Sequence, residues 1–448
     1  MLNQSLYIFL AKMTGYALRL VLPYFLVRLL SVADFGSYRQ FFLIEMYFDA
    51  LFQLGLNQAL YYFIPRDVKN AGAYFLNTVL MNLGVFSVAF LAMGVFSGRL
   101  SAWLNIPILK SGFWLLVPYV TLQMLVAACD SYFNARRAVK AAAFFEIFGQ
   151  TFVSAACVTT AVVTRNLHSV LMALVAARAL HLVAMAGYLH FRLHGLRAER
   201  YFRGMGEQVR YGIVLGFGGT LMTQLTRLHD FVVSHYYGTE SYAVYSAGCT
   251  ELPLIQMFTQ SVAVVVLGKF AQLEQQKDWA GTRELWRQVQ TSSYAVAVPA
   301  ALLFVLLAKP IIHFMFTDTY AAAVPIFQIN SLLKLGLVFN ATLVLRAMSR
   351  NDITIKVNAV AFLCSVPMLY AGMKLGGMVG IMTAQALLII GSRLACVVVM
   401  NRIIESPLPY FVGVRDVLEF YRESWAKGRT MLHSLRAGGK GAATPGAS

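Results

Sequence analysis

Long apolar segments recur along almost the whole of this 448-residue chain, and no other feature constrains its fold as strongly. Each is about 20 to 28 residues long, enough for one α-helix to cross a hydrocarbon core of about 30 Å. Only 13% of the residues are charged and the mean hydropathy is +0.63, whereas soluble domains carry about 25% charged residues. The sequence therefore predicts an all-α, polytopic integral membrane protein.

The apolar segments divide into twelve predicted spans in two groups of six. Their approximate limits are 5–30, 37–64, 73–98, 113–134, 142–164, 168–191, 211–236, 243–270, 286–308, 324–346, 353–373 and 377–401. We predict an N-terminal six-helix lobe at 1–192, a basic cytoplasmic linker at 193–210, a C-terminal six-helix lobe at 211–402 and a basic cytoplasmic tail at 403–448, amphipathic at first and then disordered.

The distribution of Lys and Arg between alternate loops indicates the orientation. With both termini in the cytoplasm, the inner segments hold 24 basic residues and the outer loops hold 6, which is a strong positive-inside bias. The net charge of +17 is then explained by orientation and by attraction to anionic lipid, so nucleic acid is not an expected partner.

A weak internal repeat supports two equivalent halves. A shift of 207 residues places the quartet 35–38 on 242–245, and each quartet reads aromatic, small, any residue, tyrosine. The same shift brings Arg19 to one residue from Arg227, and Glu45 to one residue from Glu251. Because six spans return the chain to the same side, the lobes would be related by an axis along the membrane normal. The cleft between them is the predicted pathway.

Basic residues inside the apolar segments are the main candidates for function. A cation at the centre of a membrane helix costs roughly 2.5 to 3.5 kcal/mol on insertion scales, so such residues usually mark a pathway. Arg19, Arg178, Arg227, Lys334 and Lys12 are the predicted ligands of an anionic cargo. Snorkelling to the interface is the alternative for Lys12 and for two further cations near span ends, namely Arg28 and Arg393.

Four acidic residues accompany these cations on polar helix faces: Glu45, Asp49, Asp230 and Glu251. They would either couple transport to protons or sodium ions or form structural ion pairs, as in Arg227 with Asp230 and Arg19 with Glu45 or Asp49. By contrast, Arg178, Lys334 and Arg393 have no obvious acidic partner in their own or in adjacent predicted spans. The polar faces are predicted to converge on one wet cavity.

Signals for metal or enzyme chemistry are weak. The five cysteines have no paired or metal-ligand spacing and are interpreted as small core residues. His181, one turn after Arg178, is interpreted as a packed or hydrogen-bonded side chain, with titration near neutral pH as the alternative. No phosphate loop or Ser/His/Asp arrangement stands above chance, so neither a cofactor, a metal nor enzymatic activity is expected.

The N-terminal pattern resembles the polysaccharide transport family of bacterial flippases, within the multidrug/oligosaccharidyl-lipid/polysaccharide (MOP) superfamily. The resemblance lies in the acidic-aromatic-Gly-x-Tyr turn at 34–38, the pair Gly55 and Leu56, and the aromatic-Ile-Pro-Arg exit at 63–66. Its sharpest part spans only about sixty residues, and Ala243 replaces the glycine often found in the repeated turn.

The resemblance implies an inner-membrane flippase that moves undecaprenyl-pyrophosphate-linked repeat units of O-antigen, capsule or exopolysaccharide by alternating access. Membrane lipid and other polysaccharide-assembly proteins would be its further partners. The alternatives are a multidrug or ion antiporter of the MATE type, whose cavity we expect to be acidic, and a membrane-embedded polysaccharide polymerase or ligase. Enzymes of the latter kind commonly carry a sizeable outer loop, and no predicted outer loop exceeds about fifteen residues.

Overall fold

The architecture is that of a computed structural model, which describes residues 20–52, 55–193, 202, 204–251, 254–338, 341–404, 407–410, 412–413, 415–422 and 425. Within these residues the regular elements are helices, and no strand occurs. The protein is an all-α, polytopic membrane protein, as predicted.

Fifteen α-helices follow one another along the described chain. They are α1 Leu20–Leu29, α2 Val32–Phe52, α3 Leu56–Phe63, α4 Ala71–Leu104, α5 Ile108–Ser111, α6 Phe113–Ala135, α7 Val139–Thr164, α8 Leu167–Leu193, α9 Met205–Gly248, α10 Leu254–Gln275, α11 Trp279–Leu306, α12 Ala308–Phe316, α13 Val324–Leu333, α14 Ala341–Ala347 and α15 Asn351–Asn401.

Two of the helices contain breaks at glycine. Gly238 interrupts α9 with a φ of 76°, and Gly377 interrupts α15 with a φ of 56°. Positive φ is strained for residues with a side chain but open to glycine. Both breaks fall at the predicted limits of neighbouring spans, so α9 and α15 each combine parts of two predicted spans.

Seven helical segments of the described chain are long and apolar enough to cross a membrane. They are Val68–Leu104, Phe113–Ala135, Val139–Thr164, Leu167–Phe191, Trp279–Leu306, Asp318–Ala347 and Asn351–Asn401. The helices α2, α9 and α10 cover further predicted spans and are 21, 44 and 22 residues long, but they carry more polar residues. Helix α1 is the described part of the first predicted span.

The chain forms two compact units that interleave along the sequence. The first contains residues 1–250, 308–327 and 361–385, and the second contains 251–307, 328–360 and 386–448. These units group helices by contact and do not follow the predicted limits at 192 and 211. The division into two six-helix lobes stays a prediction.

In the first unit, α2 and α3 run along α9 with almost no separation. A Cβ atom added at Gly36 would lie 2.2 Å from the carbonyl oxygen of Thr239, and one at Gly55 would lie 2.4 Å from that of Gly212. Gly55 also has a φ of 66° at the start of α3. Glycine is therefore required at both ends of this contact, because any side chain would force the helices apart.

Between these two glycines, hydrogen bonds also join α2 to α9. The Gln40 side-chain amide donates to Ser234 Oγ at 2.9 Å, and the Tyr47 hydroxyl donates to the carbonyl oxygen of Arg227 at 3.1 Å. Residue numbers rise along α2 as they fall along α9, so the two helices are antiparallel. The side of α2 that carries Gln40 and Tyr47 therefore faces α9, and polar residues on its other side face other helices.

The rest of the first unit packs around a core from α3, α4, α6, α7 and α8. Tyr132 and Phe133 of α6 are almost fully buried in it, and Phe75 and Phe145 contact them with ring centroids 5.2 and 5.6 Å apart. This core holds α8, and with it Arg178, against α6.

The second unit packs around Trp286 of α11. Its side chain is 1% exposed, and its indole N–H donates to the carbonyl oxygen of Pro409 at 3.1 Å. Part of the tail is helical at 415–422, and Asp416 forms an ion pair with Arg287 at 3.3 Å. The predicted disordered end of the tail lies outside the described residues.

Four of the five cysteines are buried, as expected for core residues. Cys364 is exposed, so the interpretation as a core residue is wrong for that position. It lies on a part of α15 whose neighbours Leu363 and Val366 are 72% and 60% exposed. An apolar residue on such a surface is expected in a membrane helix, where the outside is also apolar.

Candidate functional site

Two clusters of charged residues in the first unit are arranged around α2. Glu45 and Asp49 are four residues apart and share one helix face, whereas Tyr47 lies between them and projects from the other side. Glu45 interacts electrostatically with Arg178 of α8, and Tyr47 bonds to α9. The helix therefore stands between a cluster on α6 and α8 and a cluster on α9.

The first cluster is centred on Arg178, which is half-buried. Its guanidinium interacts electrostatically with the phenol of Tyr119 and with the carboxylates of Glu45 and Asp130. Glu146 lies close enough to Asp130 to interact with it electrostatically. The carboxylates of Glu45 and Asp130 belong to α2 and α6, which are not adjacent to α8 among the predicted spans, so the search of its own and adjacent spans did not find them.

His181 orients this arginine. Its Nδ1 lies 3.4 Å from an Arg178 nitrogen, and its Nε2 lies 3.1 Å from the carbonyl oxygen of Phe145. A guanidinium can only donate and a carbonyl can only accept, so the histidine is neutral, with its proton on Nε2. The ring also fills the space above Gly149, where an added Cβ would lie 2.2 Å from Cε1. His181 is the packed, hydrogen-bonded residue that was expected.

The second cluster is centred on Arg227 and Asp230 of α9. The guanidinium lies 3.6 Å from the carboxylate, three residues further along the helix, and this confirms the predicted pairing. Asp230 is 4% exposed, whereas the Arg227 side chain is 33% exposed. The buried carboxylate of Asp230 is therefore paired with the guanidinium of Arg227, which remains accessible to other groups.

Sequence reasoning missed three neighbours of Asp230. His229 Nε2 lies 3.9 Å from the carboxylate, and its Nδ1 lies 2.8 Å from the hydroxyl of Tyr245. The thiol of Cys249 interacts electrostatically with the same carboxylate. The adjacent His229 and Asp230 were a detectable signal, but Tyr245 and Cys249 reach them only because α9 breaks at Gly238.

In the second unit, Lys334 is paired. Its Nζ lies 3.1 Å from a carboxylate oxygen of Glu251, 83 residues away in sequence. Glu251 belongs to the eighth predicted span and Lys334 to the tenth, so the search of its own and adjacent spans did not find this partner. The lysine begins a 3₁₀ helix at Lys334–Val338, directly after α13. This ion pair therefore lies where the backbone departs from α geometry.

The two cations predicted near span ends have different surroundings. Arg28 caps α12 by donating to the carbonyl oxygens of Phe314 at 2.5 Å and Met315 at 3.1 Å. These hydrogen bonds account for a cation at this position without a bound cargo. Arg393 donates to Thr342 Oγ1 at 3.3 Å, and within the described chain no carboxylate lies within ion-pair distance of it.

Lys12 and Arg19 lie outside the described residues, so their predicted roles and the pairing of Arg19 with Glu45 or Asp49 stay predictions. The first unit has a cavity of about 540 Å³ lined by Ser31, Glu240 and Thr319, among others. Of the predicted cargo-binding residues that the structure describes, namely Arg178, Arg227 and Lys334, none lines it. That the polar faces share one wet cavity also stays a prediction.

The sequence of residues 25–325 matches the model of a family described as polysaccharide biosynthesis protein. That range covers more than half of the 448 residues and includes both charge clusters of the first unit. The chain belongs to this family. A search of curated proteins found no significant match.

Solved structures with the same fold are membrane transporters. The lipid II flippase MurJ, in an inward closed conformation, aligns with a TM-score of 0.69 at 13% identity, covering 100% of this chain and 94% of that chain. An inward-facing multidrug resistance MATE transporter of the MOP superfamily has a TM-score of 0.70 at 10% identity, with coverages of 87% and 94%. A MOP superfamily transporter from Pyrococcus furiosus has a TM-score of 0.62 at 10% identity, with coverages of 90% and 94%.

These identities show the fold alone. The polysaccharide biosynthesis family member described here therefore has the MOP transporter fold, as the resemblance implied.

Proposed function

We propose that the protein is a flippase for lipid-linked oligosaccharides, moving undecaprenyl-pyrophosphate-linked repeat units of O-antigen, capsule or exopolysaccharide across the bacterial inner membrane by alternating access. The observation that carries the proposal is the family match over residues 25–325. The shared fold with a lipid II flippase supports it, because the cargo of that protein is a lipid.

The chemistry of the buried cations supports an anionic head group as cargo. A pyrophosphate presents several oxygen acceptors, and a guanidinium donates to such oxygens in a planar, bidentate geometry. Arg227 is the strongest candidate, because its side chain is 33% exposed while its carboxylate partner is buried. Arg178 and Lys334 are further candidates, and Lys12 and Arg19 are proposed from sequence alone.

The ion pairs suggest how the cargo would be bound and released. A phosphate that approaches Arg227 or Lys334 competes with Asp230 or Glu251 for the same cation. Protonation of the carboxylate, or sodium binding to it, would weaken its hold on the cation and favour the cargo. Glu45 and Asp49 would act in the same way towards Arg178, so we propose these four acidic residues as the groups that couple ion movement to transport.

The proposed setting follows from the charge distribution. Both termini would lie in the cytoplasm, where the basic linker and tail meet anionic lipid. The glycan would cross between the lobes while the undecaprenyl chain stays in the bilayer, and other polysaccharide-assembly proteins would supply and receive it. The protein would act as a transporter and not as an enzyme.

Depletion of the protein in its host tests this function. We expect lipid-linked repeat units to accumulate with their glycans facing the cytoplasm, where a glycosidase reaches them in inverted vesicles but not in intact spheroplasts. Complementation with the wild-type gene should clear them. Drug sensitivity with normal surface glycan would contradict the proposal and favour a multidrug exporter, whereas shortened polymer with normal translocation would favour a polymerase.

A further inference from the structure

A buried group of metal-ligating side chains lies where α9 ends. His229 and Asp230 are adjacent on this helix, and Cys249 is the residue that caps its C-terminus. Their exposed fractions are 5%, 4% and 7%, and their ligand atoms all lie within 4.8 Å of one another. Imidazole, carboxylate and thiolate are the three ligand types that Zn²⁺ takes from proteins. The break of α9 at Gly238 and the position of Cys249 at its end therefore bring together three ligands that their spacing in the sequence does not indicate.

A further side chain orients these ligands. The Tyr245 hydroxyl lies 2.8 Å from His229 Nδ1 and 3.6 Å from Met382 Sδ, and it also interacts with the Cys249 thiol. A thioether can only accept, so a hydroxyl that donates to Met382 leaves Nδ1–H to donate to the phenol oxygen. Nε2 then carries the lone pair and faces Asp230. A hydrogen bond to the other ring nitrogen is the usual support of a metal-bound histidine.

The distances fit one ion after a small adjustment. Zinc lies about 2.0 to 2.3 Å from its nitrogen, oxygen and sulfur ligands, so neighbouring ligand atoms of a tetrahedral site are about 3.3 to 3.7 Å apart. His229 Nε2 and Asp230 Oδ2 are 3.9 Å apart, which is long for a hydrogen bond. Side-chain rotations of a few tenths of an ångström would bring this pair to ligand spacing, and Cys249 would move by about 1 Å.

We propose that His229, Asp230 and Cys249 form a binding site for a borderline-soft divalent metal ion, with Zn²⁺ as the best match. On binding, the Cys249 thiol loses its proton to water and the thiolate sulfur bonds to the ion. The carboxylate and the thiolate then balance its two positive charges, which suits a site removed from water. The proposal does not depend on the identity of the cargo.

Two cations face the site and would compete with the metal. Arg227 lies 3.6 Å from Asp230 Oδ2, the oxygen nearest to His229, and Arg39 interacts electrostatically with Cys249 while donating to the carbonyl oxygen of Ser246. An ion bound at Asp230 would have to displace the Arg227 guanidinium. Removing that guanidinium should therefore strengthen metal binding, which a merely adventitious surface site would not show.

Metal content of the purified full chain tests the site. The protein is equilibrated with ZnCl₂, passed through a gel-filtration column and analysed for zinc by mass spectrometry. Wild type should retain about one zinc per chain, and Cys249→Ser and His229→Gln should each lower the affinity at least about tenfold. Cys396→Ser is the matched control, because Cys396 is buried at 1% exposure in the other unit. Arg227→Gln should bind zinc more tightly than wild type.

A spectroscopic measurement on the wild-type protein tests the site even if a variant folds poorly. Co²⁺ bound to the wild-type protein should show a thiolate-to-cobalt charge-transfer band, and excess Zn²⁺ should abolish it. Wild type without retained zinc, equal zinc retention by Cys249→Ser, or a cobalt spectrum without the thiolate band would each overturn the proposal. Unchanged zinc affinity in Arg227→Gln would also contradict it, because the arginine and the metal are proposed to share one carboxylate.

Discussion

At the scale of single residues, Arg178 and Arg227 of the first unit lie beside acidic and aromatic neighbours. Arg178 has Glu45, Asp130 and Tyr119 around it, and Arg227 has Asp230. Removing the partner of a buried charge is destabilising, because the charge is left uncompensated, and Asp230 is such a charge with 4% exposure. Alanine at either arginine can therefore affect folding as well as cargo binding, and a sharper test changes the position of a cation without removing it.

Gly149→Ala is such a test. The added methyl would lie 2.2 Å from Cε1 and 2.5 Å from Nε2 of His181, so the ring has to move and release Arg178 from its orientation. Overpacking of this kind costs typically about 1 to 3 kcal/mol. We expect a lower thermal unfolding temperature and a loss of export measured as surface glycan, although no charge has been altered.

Gly187→Ala is the matched control for this change. Gly187 lies on α8 six residues after His181, and an added Cβ would meet no atom within 4 Å. We expect wild-type stability and export. Equal behaviour of the two alanine variants would show that the orientation of His181 and Arg178 is irrelevant to the protein.

Whether the members of a charge cluster could be predicted to meet depends on how far apart they lie in the sequence. Arg227 and Asp230 are three residues apart on one helix, so helical geometry alone places them together. Lys334 and Glu251 are 83 residues apart, and Arg178 meets residues of α2 and α6. Such partners depend on how helices pack, and one sequence does not report packing.

At the scale of helices, the antiparallel contact of α2 with α9 sets which side of α2 faces each charge cluster. Its closest point is Gly36, where an added Cβ would lie 2.2 Å from the carbonyl oxygen of Thr239. That atom belongs to the backbone and cannot rotate away. The helices themselves would have to separate.

We therefore expect Gly36→Ala to reduce export and to loosen this contact, which hydrogen exchange at the amides of α2 and α9 would detect as faster exchange. Gly84→Ala, on α4 with no atom within 4 Å of the added Cβ, should leave exchange and export unchanged. Unaltered exchange in Gly36→Ala would contradict the close approach of the two helices.

The lengths and breaks of the helices were largely predictable. Hydropathy marked the gaps between predicted spans at 236–243 and at 373–377, and the breaks at Gly238 and Gly377 fall within them. The 3₁₀ helix at Lys334–Val338 was not predictable, because α and 3₁₀ helices of the same composition differ only in hydrogen-bond register.

At the scale of the whole molecule, the chain belongs to a polysaccharide biosynthesis family and has the fold of membrane transporters. Transporters with this fold include a lipid II flippase and a multidrug resistance transporter, so the fold does not choose between the two kinds of cargo. The family match and the cations beside the acidic residues favour an anionic lipid-linked glycan. We propose that such a glycan is the cargo.

The most direct measurement is translocation of an undecaprenyl-pyrophosphate-linked oligosaccharide in proteoliposomes, followed as the fraction that a membrane-impermeant glycosidase can reach over time. Wild-type protein should expose the inner-leaflet pool, and Arg227→Ala should be about ten- to a hundredfold slower, corresponding to a charge-assisted hydrogen bond of about 1.5 to 3 kcal/mol. Arg227→Lys should restore only part of the rate, and Arg99→Ala, which removes an exposed cation at the end of α4, should match wild type. An unchanged rate in Arg227→Ala and in the double variant with Arg19→Ala, or no translocation by wild type, would contradict the account.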